Sequence, residues 1–180
     1  MKKIFDRIRL KSGFAKLRDE LRKRKDEHHS VALSEARSIG LLFPINTEKE
    51  YNEVQDFARQ LESEQGNGKI KLLGFIFNSE LKEKLKGNIE LISAEDIEWN
   101  YIPEKSKIKN FLSNEFDILI NLCTELCFPL VYIAAISKSA FKIAAYDTKQ
   151  EQFFDLLIDT HQNSIRGFSE EIKHYLDKIR

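Results

Sequence analysis

The chain has 180 residues, with 29 Lys and Arg against 29 Asp and Glu, so its formal net charge is zero. This length suits one compact domain that can bury a sizeable core without disulfides or metals. Two cysteines cannot form the disulfide framework of a small secreted protein, and they favour a reducing compartment. With 42% hydrophobic residues and only seven glycines and three prolines, the composition excludes collagen-like and low-complexity chains.

The charge is divided unevenly along the chain. Residues 1–25 contain eleven basic and three acidic side chains, whereas the other 155 residues contain 18 basic and 26 acidic ones. The first segment therefore carries a net charge of +8 and the rest a net charge of −8. We divide the chain accordingly into a basic arm, residues 1–30, and a single domain, residues 31–180.

The arm has the pattern of a basic amphipathic helix. Leu10, Phe14, Leu17 and Leu21 follow the spacing of a helical stripe, and basic side chains project elsewhere around it. Gly13 interrupts this run and weakens a helix by about 1 kcal/mol relative to alanine, so the sequence allows a kink or two shorter helices there.

Several partners suit such an arm. It can pack its stripe on the body, or complement the acidic body within the chain or across a homodimer. It can also contact RNA, the ribosome or an acidic protein surface, and a membrane surface ranks below these. The arm lacks interleaved Tyr or Trp, which weakens the case for single-stranded nucleic acid. The predicted contact residues are Arg7, Arg9, Arg18, Arg22, Lys23, Arg24 and Lys25.

Beyond the arm, strand and helix patterns alternate. In chain order we predict a strand at 38–45, a helix capped by Thr47 and Glu50 that ends at Gln65, and a strand at 69–77. A short helix at 79–86, a strand at 89–92, a helix at 105–112 and a buried strand at 116–122 follow. The last elements are an apolar helix at 128–137, strands at 141–146 and 153–158, and a closing helix at 169–179.

This alternation predicts a three-layer, Rossmann-like α/β sandwich around a mostly parallel sheet of five to six strands. The longest nearly apolar stretch, 126–136, is far shorter than the roughly 20 residues that cross a bilayer. We expect a cytoplasmic protein without a transmembrane segment.

Ligands of such sheets bind beyond the carboxyl ends of the strands. Asn46 and Thr47 follow the first strand, without the glycines that a phosphate-binding loop requires. Asn121 and Thr124 follow the buried strand at 116–122 and can cap the next helix or contact a ligand. These four residues form the alternative ligand site, for a nucleotide or a sugar phosphate.

The remaining candidates for chemistry have structural explanations. Cys123 and Cys127 are separated by three residues instead of the two of redox and zinc motifs, so we expect two packed thiols. Trp99 and Tyr101 lie in a loop that either covers a sheet edge or forms a contact surface. The sequence predicts no catalytic residue, no cofactor and no metal site.

Four segments carry a resemblance to a known family: FDILINL, followed by PLVYIAAISKSAFKIAAY, and before them SIGLLFP and KIKLLGFIF. They resemble small bacterial Rossmann-like proteins known only as a domain of unknown function, with a basic N-terminal helix ahead of the body. The resemblance implies the fold and no activity. The segment from Phe116 to Tyr146 is also faintly similar to the N-terminal half of heptosyltransferase-type glycosyltransferases.

The leading hypothesis is therefore a non-catalytic binding or adaptor protein that contacts an anionic partner through its arm. The alternative is a small-molecule binding domain or enzyme acting at the carboxyl ends of the strands.

Overall fold

The computed structural model describes residues 2–22, 29–65, 68–85, 87 and 89–179. Its strands are β1 (Ser38–Ile45), β2 (Lys69–Ile76), β3 (Glu90–Ser93), β4 (Glu115–Asn121), β5 (Lys138–Ala145) and β6 (Leu156–Ile158). Its helices are α1 (Lys2–Leu21), α2 (Glu48–Gln65), α3 (Lys105–Leu112), α4 (Phe128–Ile136) and α5 (Ile165–Leu176). Short 3-10 turns span Ser79–Leu81, Ala94–Asp96 and Glu151–Phe153.

The six strands form one sheet in the order β3-β2-β1-β4-β5-β6, and each neighbouring pair is parallel. This is the strand order of a doubly wound Rossmann-like sheet, with the order reversing between β1 and β4. The predicted fold class is confirmed. Because parallel strands need covered faces, their sequences are nearly continuous apolar runs instead of alternating ones.

Helices cover both faces of the sheet. On one face, α2 and α5 pack against side chains such as Leu41 and Phe43 of β1. On the other, α1, α3 and α4 enclose a second core that includes Leu42 of the same strand. Neighbouring residues of β1 thus point into different cores, as the period of two in a strand requires.

Four predicted elements differ from the structure by three residues or more at a boundary, and one of them is β5, which begins at Lys138 instead of residue 141. The helix expected at 79–86 is only the turn Ser79–Leu81 with further turns behind it, and Lys86 lies outside the described residues. Helix α5 starts at Ile165 because the Ser164 side chain caps it, accepting a hydrogen bond from the Gly167 N–H at 3.2 Å. The last strand starts at Leu156 because the preceding residues turn.

Candidate functional site

Helix α1 packs along the body through its apolar stripe. Leu17 is fully buried, and Phe14 places its ring 4.6 Å from that of Phe128 in α4. Leu10 and Leu21 are half-buried against the same core. The 3.6-residue repeat in the sequence therefore marks the side of the helix that faces the protein.

A close approach between α1 and the body occurs at Gly13. A Cβ added there would lie 2.4 Å from the Asn100 carbonyl oxygen and 2.6 Å from the Phe128 ring. Helix α1 runs through this position as one continuous helix, so it is not divided into two shorter helices there. The glycine allows contact between helix and body instead of interrupting the helix.

A tight loop, residues 97–103, holds the N-terminal half of α1. Tyr101 has a positive φ of 66°, which a bulky residue rarely adopts. Its hydroxyl donates to the Asp6 carboxylate at 2.9 Å, and the Arg9 guanidinium lies 4.1 Å from the centre of its ring. Arg9 also donates to the Trp99 carbonyl. Tyr101 thus contacts α1, whereas the indole of Trp99 is exposed.

The C-terminal half of α1 is joined to the body by polar contacts. Lys16 pairs with Glu98 at 3.2 Å. Glu20 accepts hydrogen bonds from the Tyr132 hydroxyl at 2.6 Å and from Lys105 at 3.0 Å. Part of the arm's charge is therefore matched within the molecule.

The remaining arm cations differ in their surroundings. Arg22 lies 3.3 Å from Asp19, and both groups are exposed. Arg7, Lys11 and Arg18 are exposed and have no ion pair with another described residue. The predicted contact residues Lys23, Arg24 and Lys25 lie outside the described residues.

The face of α1 that points away from the body carries a second stripe. Ile4, Ile8, Lys11 and Arg18 follow the i, i+4, i+7 spacing of one helix face, and all four are exposed. Beside them, Phe5 is 66% exposed. We call Ile4, Phe5, Ile8, Lys11 and Arg18 the outer face of α1. Its first half is apolar and its second half is cationic.

A cavity of about 460 Å³ opens at the carboxyl edge of the sheet, beneath α1. The loop after β4, the segment after β3 and the end of β2 form its other walls. It is lined by Asp6, Arg7, Leu10, Phe75, Phe77, Ala94, Ile97, Tyr101, Leu126, Cys127, Phe128 and Pro129. Its size and apolar lining are those of a small-molecule site.

A cleft of about 510 Å³ lies at the opposite edge of the sheet. Two of its lysines are paired, Lys105 with Glu20 at 3.0 Å and Lys138 with Glu115 at 2.8 Å. Ligands of open parallel sheets bind at the carboxyl edge, so we take the cavity beneath α1 as the candidate ligand site.

The sequence of this protein matches a defined family. Residues 9–179 match the family of unknown function DUF6913. The chain belongs to this family. The match starts within α1 and includes the whole sheet, so residues 9–21 of the arm's helix are part of the family's shared sequence.

Among solved structures, the family member described here is similar to Escherichia coli heptosyltransferase WaaC with ADP, at 11% identity and a TM-score of 0.45. The alignment covers 74% of this chain and 46% of the heptosyltransferase chain, so this chain spans less than half of that enzyme. No curated protein matches the sequence.

The strand ends of the alternative ligand site lie side by side. Leu42 of β1 is in register with Asn121 of β4, which brings the two following loops to the same edge. The N–H groups of Asn46 and Thr47 donate to the Glu50 carboxylate at 2.7 and 3.0 Å. The two N–H groups just before α2 are therefore occupied by the protein's own side chain.

The other half of that site is largely internal. Asn121 is 1% exposed, and its side-chain oxygen accepts from the Cys123 N–H at 3.3 Å. Thr124 is half-buried in the loop before α4. Helix α4 has Cys127 at its N-cap position without a side-chain cap, so neither Asn121 nor Thr124 caps it.

Both thiols are free and hydrogen-bonded to each other. Burial, and then the contact with Cys127, raises the pKa of Cys123. The hydrogen bond from Cys123 lowers the pKa of Cys127, which lines the cavity. His174 lies in α5, on the opposite face of the sheet from Cys123 and α4, so its imidazole is not placed to activate these thiols.

Among the described residues, no three His, Cys, Asp or Glu side chains come together in a way that could hold a metal ion. Every helix within the same residues is too short or too polar to cross a bilayer.

The sequence does not predict the hydrogen bond between Tyr101 and Asp6, here called the clamp, or the cavity behind it. This hydrogen bond joins residues 95 positions apart, and no local pattern predicts it. The sequence identifies Trp99 and Tyr101 as an aromatic pair in a loop, but the contact of Tyr101 with α1 depends on where α1 lies.

Proposed function

We propose that this protein is a non-catalytic, cytoplasmic binding module that attaches to an anionic lipid surface through the outer face of α1. The observation that carries the proposal is the second stripe: α1 buries one face in the body and presents bulky apolar and unpaired cationic side chains on the other. An interfacial helix combines these two kinds of side chain.

The structure changes the balance among the partners that the sequence allowed. Phe14, which would be an apolar anchor on a projecting arm, is buried against Phe128, and Ile4, Phe5 and Ile8 take that position instead. The outer face offers RNA a single aromatic ring, Phe5, and basic side chains alone provide only salt-sensitive attraction. Apolar and cationic groups on one face fit an acidic headgroup layer better.

The expected energies allow weak, reversible binding. A Lys or Arg near an acidic leaflet contributes about 1 kcal/mol, so Lys11 and Arg18 contribute about 2 kcal/mol. Full burial of an aliphatic or aromatic side chain contributes about 1.5–3 kcal/mol, and partial insertion of three of them adds about 3 kcal/mol. The total of about 5 kcal/mol corresponds to a dissociation constant of roughly 0.2 mM lipid.

Vesicle flotation tests the proposal with intact protein. We expect binding to vesicles of phosphatidylcholine and phosphatidylglycerol at low salt, weaker binding at high salt, and none to phosphatidylcholine alone. Ile8→Ser and Arg18→Glu should each reduce binding at least about fivefold, since each removes about 1 kcal/mol or more.

Matched substitutions elsewhere serve as controls. Tyr175→Ser removes an exposed large side chain from α5, and Lys149→Glu reverses an exposed charge after β5. Neither should alter flotation. The proposal is wrong if the control variants weaken vesicle binding as much as the α1 variants do. It is also wrong if the protein does not bind the vesicles and binds poly(U) RNA in a way that depends on Arg18.

A further inference from the structure

We propose that the cavity beneath α1 binds a small amphipathic carboxylate of the medium-chain fatty acid class, with its chain among the aromatic walls and its carboxylate at Arg7. This binding site is separate from the outer face of α1 and goes beyond the lipid-surface proposal.

The walls of the cavity select for an apolar chain. Phe75 and Phe77, at the end of β2, lie with their ring centres 4.8 Å apart, and Ile97 and Phe128 line the cavity with them. The volume of about 460 Å³ lies within the range of drug-sized ligand sites. The cavity also occupies the carboxyl edge of the sheet, where doubly wound folds bind their ligands.

The charges at the cavity select for an anion. Asp6 accepts a hydrogen bond from the Tyr101 hydroxyl at 2.9 Å and lies 3.9 Å from Arg9, so its negative charge is already engaged by the clamp. Arg7, the next residue, lines the cavity and has no ion pair with another described residue. A guanidinium in this position can take a carboxylate with two parallel hydrogen bonds.

A nucleotide or sugar phosphate fits this cavity less well. Either ligand needs many hydrogen-bonding partners, and most of the lining side chains are apolar. The N–H groups of Asn46 and Thr47, which follow β1, already donate to Glu50. One cation at the rim of an apolar cavity matches one carboxylate on an apolar chain.

Titration calorimetry with octanoate, decanoate and decanol, all below micelle formation, tests the assignment on the full chain. Each buried methylene should tighten binding about fourfold, so decanoate should bind about tenfold or more tightly than octanoate. Decanol should bind at least about tenfold more weakly than decanoate, because it lacks the charge that Arg7 recognises.

Substitutions locate the site. Arg7→Gln should weaken decanoate binding about tenfold or more, whereas Arg166→Gln, at an exposed arginine of α5, should leave it unchanged. Ala94→Phe should fill the cavity and abolish binding. Because that change can also disturb folding, Phe77→Asp provides a second test: Phe77 is exposed at the mouth, and an added carboxylate would repel the ligand.

The Cys127 thiol reports occupancy independently of affinity. It lines the cavity, so saturating decanoate should slow its alkylation by iodoacetamide severalfold, and Arg7→Gln should remove this protection. The assignment is overturned if decanol matches decanoate, if Arg166→Gln acts like Arg7→Gln, or if decanoate neither releases heat nor protects Cys127. These results do not bear on the lipid-surface proposal, which vesicle flotation tests separately.

Discussion

Asp96 is a buried carboxylate that ties the segment after β3 to helix α3. It accepts hydrogen bonds from the Ser93 N–H at 2.9 Å and the Ser93 hydroxyl at 3.1 Å, and it pairs with Lys107 at 3.0 Å. Burial alone would raise its pKa, but the hydrogen bonds from Lys107 and Ser93 outweigh burial and lower it below the ordinary 3.8. The folded state therefore prefers the ionised form.

This preference predicts a pH-dependent effect of Asp96→Asn. At neutral pH the variant should lose about 1–3 kcal/mol of unfolding free energy, because the Ser93 and Lys107 donors lose their charged acceptor. The ionised carboxylate stabilises the fold above the unfolded-state pKa, and this contribution is lost as the pH falls below 3.8 through the lower folded-state value. The difference from wild type should therefore shrink in acid.

Urea unfolding followed by circular dichroism at pH near 7 and near 3 measures this effect. Glu83→Gln, at an exposed carboxylate, is the control and should change stability little at either pH. If Asp96→Asn lowers the unfolding free energy by the same amount at both pH values, the prediction is contradicted.

Helix α1 shows how one element combines two surfaces. Its inner stripe is core, and its outer face is the proposed lipid contact. The 3.6-residue pattern identified the inner stripe from the sequence alone. It did not indicate that the stripe packs against α4, because an amphipathic helix that projects has the same pattern.

Gly13→Ala tests the contact between α1 and the body. In an isolated helix this change would stabilise by about 1 kcal/mol. Here we expect a net loss of about 1–3 kcal/mol, because the new Cβ would overlap the Asn100 carbonyl and force α1 away from Phe128.

Denaturant unfolding measures this loss, with Ala15→Gly as the matched control. Ala15 is exposed on the same helix, so that change should cost only about 1 kcal/mol through helix propensity. A Gly13→Ala variant more stable than wild type would show that α1 and the body do not make this close contact.

At the scale of the whole molecule, the structure joins the two oppositely charged parts of the chain. Lys16 and Arg9 of the arm meet Glu98 and the 97–103 loop, and Glu20 meets Lys105. The buried side chains of α1 make it part of the second core. Removing residues 1–25 would therefore expose Phe128 and Tyr132, so point substitutions are the better test of the arm's function.

Two truncations of α1 side chains distinguish a residue that stabilises the fold from a residue of the outer face. Leu17→Ala should lower the unfolding free energy by about 2–5 kcal/mol, because it leaves a cavity at a fully buried site. Ile8→Ala should stay within about 0.5 kcal/mol of wild type, because Ile8 is 54% exposed.

Thermal unfolding monitored by circular dichroism compares the two variants. If both change stability equally, or if Leu17→Ala has no effect, α1 is not part of the core.

Much of the fold was readable from local patterns. The apolar runs at 38–45, 69–77 and 116–122 and the capping pair Thr47 and Glu50 depend on residues near one another in sequence. The right-handed crossover rule then arranges parallel strands around a reversal point. Local periodicity and chain connectivity are sufficient for this much.

The candidate site depends on contacts that no short segment contains. The Tyr101 hydroxyl donates to Asp6, and Gly13 packs against the Asn100 carbonyl. The Glu50 carboxylate accepts the hydrogen bond from the Asn46 N–H, a group that could otherwise bind an anion. These contacts follow from where α1 and the loops settle on the finished sheet, which sequence spacing does not specify. The sequence therefore determined the elements, the sheet and the division of charge, whereas three-dimensional packing determined which side chains of the arm remain free and where a cavity opens.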